Sequence, residues 1–305
     1  MELVNGNIGV LGHSGFVGKA LLEALPGAIG ISLRDDTWVS KMMQCTVIIN
    51  LVGKAHDHKG MASEQDYYNT NLELSKNIFE VFLQSPVNLL VHISSLAALE
   101  EFESSIPLQE SDACNPVSWY GKSKRSAEEW LLSQELPPGK RIIILRPPMI
   151  HGPGDKGNLG LLYKMIKRGI PYPLASFDNK RSFISIDNFV FFIKKIFEKY
   201  ECLPSGIYHI SDDEYISTKQ IIGVIKEITG KNVSNFALPK YIVKAVARLG
   251  DFLPIPLNSK RLKKMTGDLL VSNEKIKNYL EMERLPLTAV EGMKKTIGSF
   301  LKEKV

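Results

Sequence analysis

Ile8-Gly9-Val10-Leu11-Gly12-His13-Ser14-Gly15-Phe16-Val17-Gly18 reads as a short apolar strand that runs directly into a glycine-rich turn. Ala20, Leu21, Leu22 and Leu25 follow at helical spacing, and Pro26-Gly27 stops the helix. Strand, turn and helix N-terminus together make an entrance for a dinucleotide. Glycines let the backbone approach a pyrophosphate, and the free N–H groups and helix dipole stabilise its charge. The spacing is Gly-x-x-Gly-x-x-Gly over Gly12, Gly15 and Gly18, and a plain glycine turn before a helix is the competing reading.

Outward from this unit, strand and helix alternate. A second strand, 29–33, ends in Arg34-Asp35-Asp36. The residue just past this strand reads the adenosine ribose in dinucleotide folds. An acid there accepts from the 2′-OH, whereas a guanidinium pairs with a 2′-phosphate. Arg34 comes first and favours NADP over NAD, roughly ten- to hundred-fold for one charge-assisted contact. Asp35 or Asp36 reaches the ribose instead if the turn is tighter. Residues 47–53, apolar but for Asn50, form a third strand ending in Leu51-Val52-Gly53, as expected of a parallel sheet covered on both faces. His56 and His58 follow as solvated loop residues. A long helix over 64–83 carries Asn71 among its apolar positions, where it can bridge neighbouring loops.

The fourth strand, 89–93, delivers Ser94-Ser95 at its carboxyl end, the edge where open α/β sheets bind ligands. Ser94 reads as structural, and Ser95 as the hydroxyl available to a substrate oxygen. Asn115-Pro116 marks a turn before a helix over 118–134 that contains Tyr120 and Lys124. Four residues apart, the two share a helix face. A phenol titrates near pH ~10, and a nearby ammonium favours the phenolate and lowers that value. Such a pair moves protons on and off an alcohol or ketone oxygen, although the spacing alone also fits an exposed helix turn. The fifth strand, 141–145, runs into Arg146-Pro147-Pro148 and the loop Gly152-Pro153-Gly154. The order predicts an α/β fold with a Rossmann-type, doubly wound parallel sheet over 1–155, to which 181–200 returns. Residues 156–180 and 201–305 form a smaller, mostly helical substrate lobe, with helices over 218–229, 240–249, 259–265 and 287–301.

Composition sets the bounds. The 305 residues are 44% hydrophobic and 23% charged, which suits a globular enzyme with one large domain and a lobe. Cys45, Cys114 and Cys202 stand far apart without metal spacing, so reduced thiols in a cytoplasmic protein are expected, with no metal. The opening residues lack a basic stretch followed by an apolar run, and no signal peptide is expected. The net charge of +5 is mild; it suits a phosphate-bearing substrate and is no nucleic-acid signature.

Taken together, the motifs resemble the extended short-chain dehydrogenase/reductase family, the NAD-dependent epimerases and dehydratases, in its nucleotide-sugar 4-epimerase and 4-ketoreductase branch. The matching residues are Gly12-x-x-Gly15-Phe16-x-Gly18, Ser94-Ser95, Tyr120-x-x-x-Lys124, Arg146-Pro147 and Gly152-Pro153-Gly154. The resemblance implies that Tyr120 is the general acid/base. It implies that Lys124 binds the nicotinamide ribose and tunes Tyr120, and that Ser95 orients the sugar oxygen. The implied cofactor set is Gly12, Gly15, Phe16, Val17, Gly18, Arg34, Leu51, Val52, Gly53, Asn71, Tyr120, Lys124, Pro147 and Ile150. Asn158 and Arg181 fall where relatives hold the substrate diphosphate, and Arg261 or Lys264 would add a second cation. His151-Gly152-Pro153 departs from the family's Tyr-Gly-Pro. Leu96-Ala97-Ala98-Leu99 stands where sugar dehydratases carry an Asp-Glu pair, which argues against water elimination. The implied substrate is a UDP-sugar, and the implied process is surface-polysaccharide synthesis. Arg34 leans the reading to 4-keto reduction by NADPH over 4-epimerisation with retained NAD. A non-catalytic NADP-binding sensor is the rival of another class, opposed by the intact Tyr-Lys pair. The family pattern also allows a homodimer through the helices after the third and fourth strands.

Residues 240–264 hold Lys240, Lys244, Arg248, Lys260, Arg261, Lys263 and Lys264 against one acid, Asp251. A solvated basic face, phosphate recognition, and peripheral contact with an anionic membrane surface all fit this pattern.

Overall fold

The computed structural model describes residues 7–55, 61–155, 157–170, 172–174, 176–231, 238–253 and 258–302. His56 and His58 lie outside the described residues. Eight strands are described: β1 (Asn7–Leu11), β2 (Ile29–Ile31), β3 (Cys45–Asn50), β4 (Leu89–Ile93), β5 (Arg141–Arg146), β6 (Met149–His151), β7 (Phe183–Ser185) and β8 (Gly206–His209). Six of them make one parallel sheet in the order β2-β1-β3-β4-β5-β8. The chain is an α/β, Rossmann-type fold, and its order reverses beside β1, between the first two crossovers.

Strand periodicity sorts the apolar side chains to two faces. Val10, Val47, Ile49, Val91 and Ile143 pack on one side against Phe189, Phe192 and Ile196 of the helix Ile186–Lys199. Ile48, Leu90, Ile142 and Ile144 pack on the other against Ile78, Phe79 and Phe82. Each such buried side chain stabilises the fold by about 1.5–3 kcal/mol. A separate core joins the helices Asn158–Lys167, Thr218–Thr229 and Ala289–Lys302 through Tyr163, Ile221, Ile225, Met293, Ile297 and Phe300.

The structure differs from the expected layout in three places. β8 pairs with β5 as the sixth strand, inside the 201–305 stretch that the sequence reading gives wholly to the lobe. Its four residues follow Pro204-Ser205 and are too short to show a strand period. The helix Glu274–Leu280, also unexpected, buries Ile276 and Leu280 against the sheet's core. Finally, the helix expected over 64–83 is broken: Glu64–Tyr68 and Leu74–Gln84 flank a π-helical turn, Asn69–Glu73. Such bulges recur at functional sites, and this one carries Asn71. The small parallel pair β6–β7 connects the sheet to the lobe.

Candidate active site

The carboxyl ends of β1, β3, β4 and β5 meet at one cleft edge. At β1, Gly12 takes φ +78°, a left-handed conformation that favours glycine. A Cβ on Gly18 would lie 2.6 Å from the Gly12 carbonyl oxygen and from His13 Cα, so the helix Phe16–Ala24 sits directly on the turn. Gly15 occupies its N-cap without a side-chain bond, which leaves the first-turn N–H groups for a ligand. Phe16 and Val17 are half-buried and pack on the core. A Cβ on Gly152 would come 3.2 Å from the Phe16 ring, which brings the segment after β6 beside the turn.

Past β2, Arg34 is exposed. Asp35 is committed elsewhere: its carboxylate accepts from Thr37 N (3.0 Å), from Thr37 Oγ1 (2.7 Å) and from Lys41 Nζ (2.5 Å). The Lys41 bond is the main reason its carboxyl is held well below the ordinary range. Asp35 is thereby taken up by Lys41 and Thr37, while Arg34 and Asp36 both stand exposed at this turn.

Past β3, Asn50 donates to the buried His92 Nδ1 at 3.1 Å and accepts from Val52 N at 3.0 Å, fixing the turn Leu51-Val52-Gly53. Burial, reinforced by the Lys124 charge, keeps His92 neutral. Asn71 is wholly buried. Its Oδ1 accepts from Lys54 N (2.8 Å), and its Nδ2 donates to Lys54 O (3.2 Å) and to Ser123 Oγ (2.9 Å). It ties the post-β3 loop to the helix that bears Tyr120 and Lys124, and the π turn is what aims it there. In this arrangement Asn71 positions the cleft; its amide is used up by protein partners.

Past β4, Ser95 caps a short helical turn by accepting from Ala97 N at 3.2 Å. The helix Trp119–Leu132 begins alongside, capped by Ser118, which accepts from Gly121 N at 3.0 Å. Tyr120 is half-buried, and its phenol faces the Ser95 side chain, which favours the ionised form. Lys124 is buried and its ammonium donates to Ile93 O at 2.8 Å. A Cβ on Gly53 would lie 3.0 Å from that nitrogen, so the cation sits between the ends of β3 and β4.

The expected tuning of Tyr120 by Lys124 is corrected here. The phenol pKa is raised, by burial first and also by the Glu101 carboxylate, and only the Ser95 side chain opposes this. The ammonium serves Ile93 O, and its own pKa is lowered to about 8 by burial. A lysine whose folded pKa lies below its unfolded value destabilises the fold wherever it must stay charged. That cost is complete below about pH 8 and disappears as pH rises toward 10.5. Relative to Lys124→Met, the wild type should therefore gain stability between pH 7.5 and pH 10, by no more than about 3 kcal/mol. Parallel urea titrations at the two pH values check this; an unchanged gap would mean that the amine is not perturbed.

Three residues went unnoticed in the sequence. Glu101 Oε1 accepts from Val117 N (3.0 Å) and Ser118 N (2.7 Å), and so pins the entry of the Tyr120 helix. A Cβ on Gly121 would lie 2.4 Å from Ala97 O, so only glycine lets that helix approach the Ser95 segment so closely. Beneath them, Glu128 accepts from Ser94 Oγ (2.5 Å), Arg146 Nε (2.8 Å) and Arg146 Nη2 (2.6 Å), with both charged side chains wholly buried. Ser94 is structural, as expected. No local motif announces Glu101 or Glu128: Arg125 lies 3.5 Å from Glu128, but the hydrogen bonds that fix the two carboxylates reach 16 to 34 residues along the chain.

Pro147 is buried after β5 and its carbonyl accepts from Leu96 N at 2.9 Å. Ile150 pairs with Ile184 and packs on the core. His151 turns away from the cleft: its Nδ1 bonds Thr296 Oγ1 at 2.8 Å, and its Nε2 lies 3.9 Å from Asp212. Burial lowers its pKa to about 4, so it is neutral. In the lobe, Arg181 Nη1 donates to Lys264 O (3.0 Å) and Gly267 O (3.1 Å). Asn158 opens the helix Asn158–Lys167, and its side chain lies outside what is described. Arg261 is exposed on the helix Ser259–Thr266.

The glycine turn without room for a Cβ, the uncapped helix start and the buried lysine fit a dinucleotide. Fold and site define an NAD(P)-dependent enzyme of the short-chain dehydrogenase/reductase type. The chain belongs to the NAD dependent epimerase/dehydratase family, whose model matches residues 8–211. It is similar to a UDP-glucose 4-epimerase of Vibrio cholerae, 27% identical over 260 residues, 84% of this chain and 77% of that protein. It is also similar to the N-acetyl-α-D-glucosaminyl-diphospho-ditrans,octacis-undecaprenol 4-epimerase of Escherichia coli O157:H7. That match is 26% identical over 257 residues, 77% of this chain and 76% of that one. Among solved structures, the UDP-glucuronic acid 4-epimerase of Bacillus cereus in complex with NAD superposes with a TM-score of 0.76 at 19% identity. It covers 97% of this chain and 99% of that one.

Proposed function

We propose that the chain is a nucleotide-sugar 4-epimerase that works with a tightly held NAD(P). The observation that carries this is the placing of the Tyr120 phenol against Ser95 at the end of β4, with buried Lys124 one helical turn away. NAD(P), when bound, supplies the acceptor and donor of hydride at C4. Tyr120 Oη exchanges a proton with the oxygen on C4, and Ser95 Oγ orients that oxygen. Lys124 Nζ, held by Ile93 O, offers further N–H donors to a ribose hydroxyl. The segment after Ser95 is Leu96-Ala97-Ala98, without the acids that water elimination requires. Arg181 and Asn158 are proposed to hold the substrate diphosphate, with Arg261 beside them. A UDP group is the proposed carrier; a polyprenyl diphosphate, the carrier named for the E. coli relative, presents the same diphosphate. The 4-epimerase names of the relatives favour epimerisation over the net reduction to which the sequence reading leaned.

Net 4-keto reduction is the second reading, favoured by Arg34, which stands exposed past β2 while Asp35 is bound to Lys41 and Thr37. Native mass spectrometry of the purified protein separates the two. Co-purified NAD, with interconversion of C4 epimers of a UDP-hexose and no net cofactor consumption, is the expected result. A site that fills with NADPH and oxidises it stoichiometrically, with the preference for NADP over NAD lost roughly ten-fold or more in Arg34→Ala, would replace epimerisation by reduction. Pairing of two copies through the helices after β3 and β4 is proposed on the family pattern, with Trp119 and Leu132 exposed at the two ends of the second of these helices.

A further inference from the structure

The helix Lys240–Leu249 packs on the lobe through Val243 and Ala247, four residues apart, which join Leu262 and Leu174 in a small core. Its opposite side should then be polar. It is not. Tyr241, Ile242, Val246 and Leu249 face outward, with Tyr241 73% exposed. Phe252 and Leu253 extend the same apolar surface, Phe252 at 90% exposure. Lys240, Lys244 and Arg248, spaced at four, form one edge of this face, all of them exposed. The adjoining helix Ser259–Thr266 adds exposed Lys260 and Lys264 and the exposed apolar Met265. The acid in this stretch, Asp251, is occupied by Ser259 at 2.9 and 2.6 Å.

Apolar side chains crowded on the outer face of a cationic helix are the chemistry of a segment that lies in a lipid headgroup layer. A second copy is the weaker occupant. A two-fold contact would set each basic edge against its own image, where like charges oppose pairing. We propose that this face docks on an anionic phospholipid bilayer, with Tyr241, Leu249 and Phe252 entering the acyl boundary and Lys244 and Arg248 meeting the headgroups. The Arg181 guanidinium bonds to the Lys264 carbonyl, so the docked helices adjoin the lobe residue proposed to hold the substrate diphosphate. Docking is a property of this surface and does not rest on the C4 chemistry.

The test is flotation of the full chain with vesicles of phosphatidylcholine, with and without phosphatidylglycerol. Wild type should float with the anionic vesicles only, and rising salt should release it. Lys244→Gln with Arg248→Gln should weaken binding by about fivefold per charge. Leu249→Ser with Phe252→Ser should abolish flotation while NAD(P) binding and the melting temperature stay at wild-type values, since both side chains are exposed. Failure of the wild type to float, or equal binding to neutral vesicles, overturns the proposal. So does a wild-type dimer in lipid-free buffer that Leu249→Ser with Phe252→Ser converts to monomer, because a second copy would then cover the face.

Discussion

Tyr120→Phe should bind NAD(P) as the wild type does and turn over roughly 10²–10⁴-fold more slowly. The substitution removes one oxygen from a side chain whose ring is already packed, so the fold keeps its contacts. What disappears is the proposed proton carrier and the hydroxyl that faces Ser95. Because burial and Glu101 hold the phenol protonated at neutral pH, Tyr120 is prepared to donate; the direction that needs phenolate is favoured only as pH rises. The wild-type rate in the oxidising direction should accordingly climb with pH, and the Tyr120→Phe residual rate should be flat. Single-turnover reduction of the bound cofactor by one UDP-hexose, followed against pH, checks the profile, and steady-state turnover checks the loss. A variant with unchanged turnover would remove Tyr120 from proton transfer altogether.

Glu128→Ala is expected to destabilise the protein by about 3–5 kcal/mol, because it leaves the wholly buried Arg146 guanidinium without its carboxylate. Arg146 Nη1 already has no partner, Nε would join it, and Nη2 would keep only the Cys114 sulfur at 3.5 Å. The Ser94 hydroxyl would lose its acceptor as well. Replacing both charges together, Glu128→Met with Arg146→Leu, should cost far less than either single removal, since matched apolar groups carry no desolvation penalty. Urea unfolding of wild type, the two single variants and the double variant completes the cycle. If Glu128→Ala shifts stability by less than about 1 kcal/mol, this pair does not hold the Tyr120 helix on β4 and β5.

These two expectations come from different levels of the molecule. Tyr120, Lys124 and Ser95 were legible as residues because their chemistry is local: a helical spacing, a serine at the end of an apolar strand, a glycine turn after another. The order of β1 to β5 was legible for the same reason, since each central strand is a continuous apolar run between helical segments. Gly12 and Gly18 announced themselves by spacing, and the turn and close packing that require them lie within the same stretch.

What the chain order left open depends on partners far apart in sequence. Whether Lys124 acts on the phenol or on a carbonyl is a matter of where β4 ends, and the answer is Ile93 O. Asn71 is bound to Lys54 and Ser123, 17 and 52 residues away, through a π turn that no periodicity reveals. β8 has too few residues to signal a strand and gains its place only by pairing with β5. His151, in line with the cleft by order, is drawn into the lobe by Thr296, 145 residues away. Residue type and spacing state which chemistry a chain can carry. Burial, charge and hydrogen-bond partners are set only when distant strands and helices meet, and they govern the protonation and the aim of each side chain.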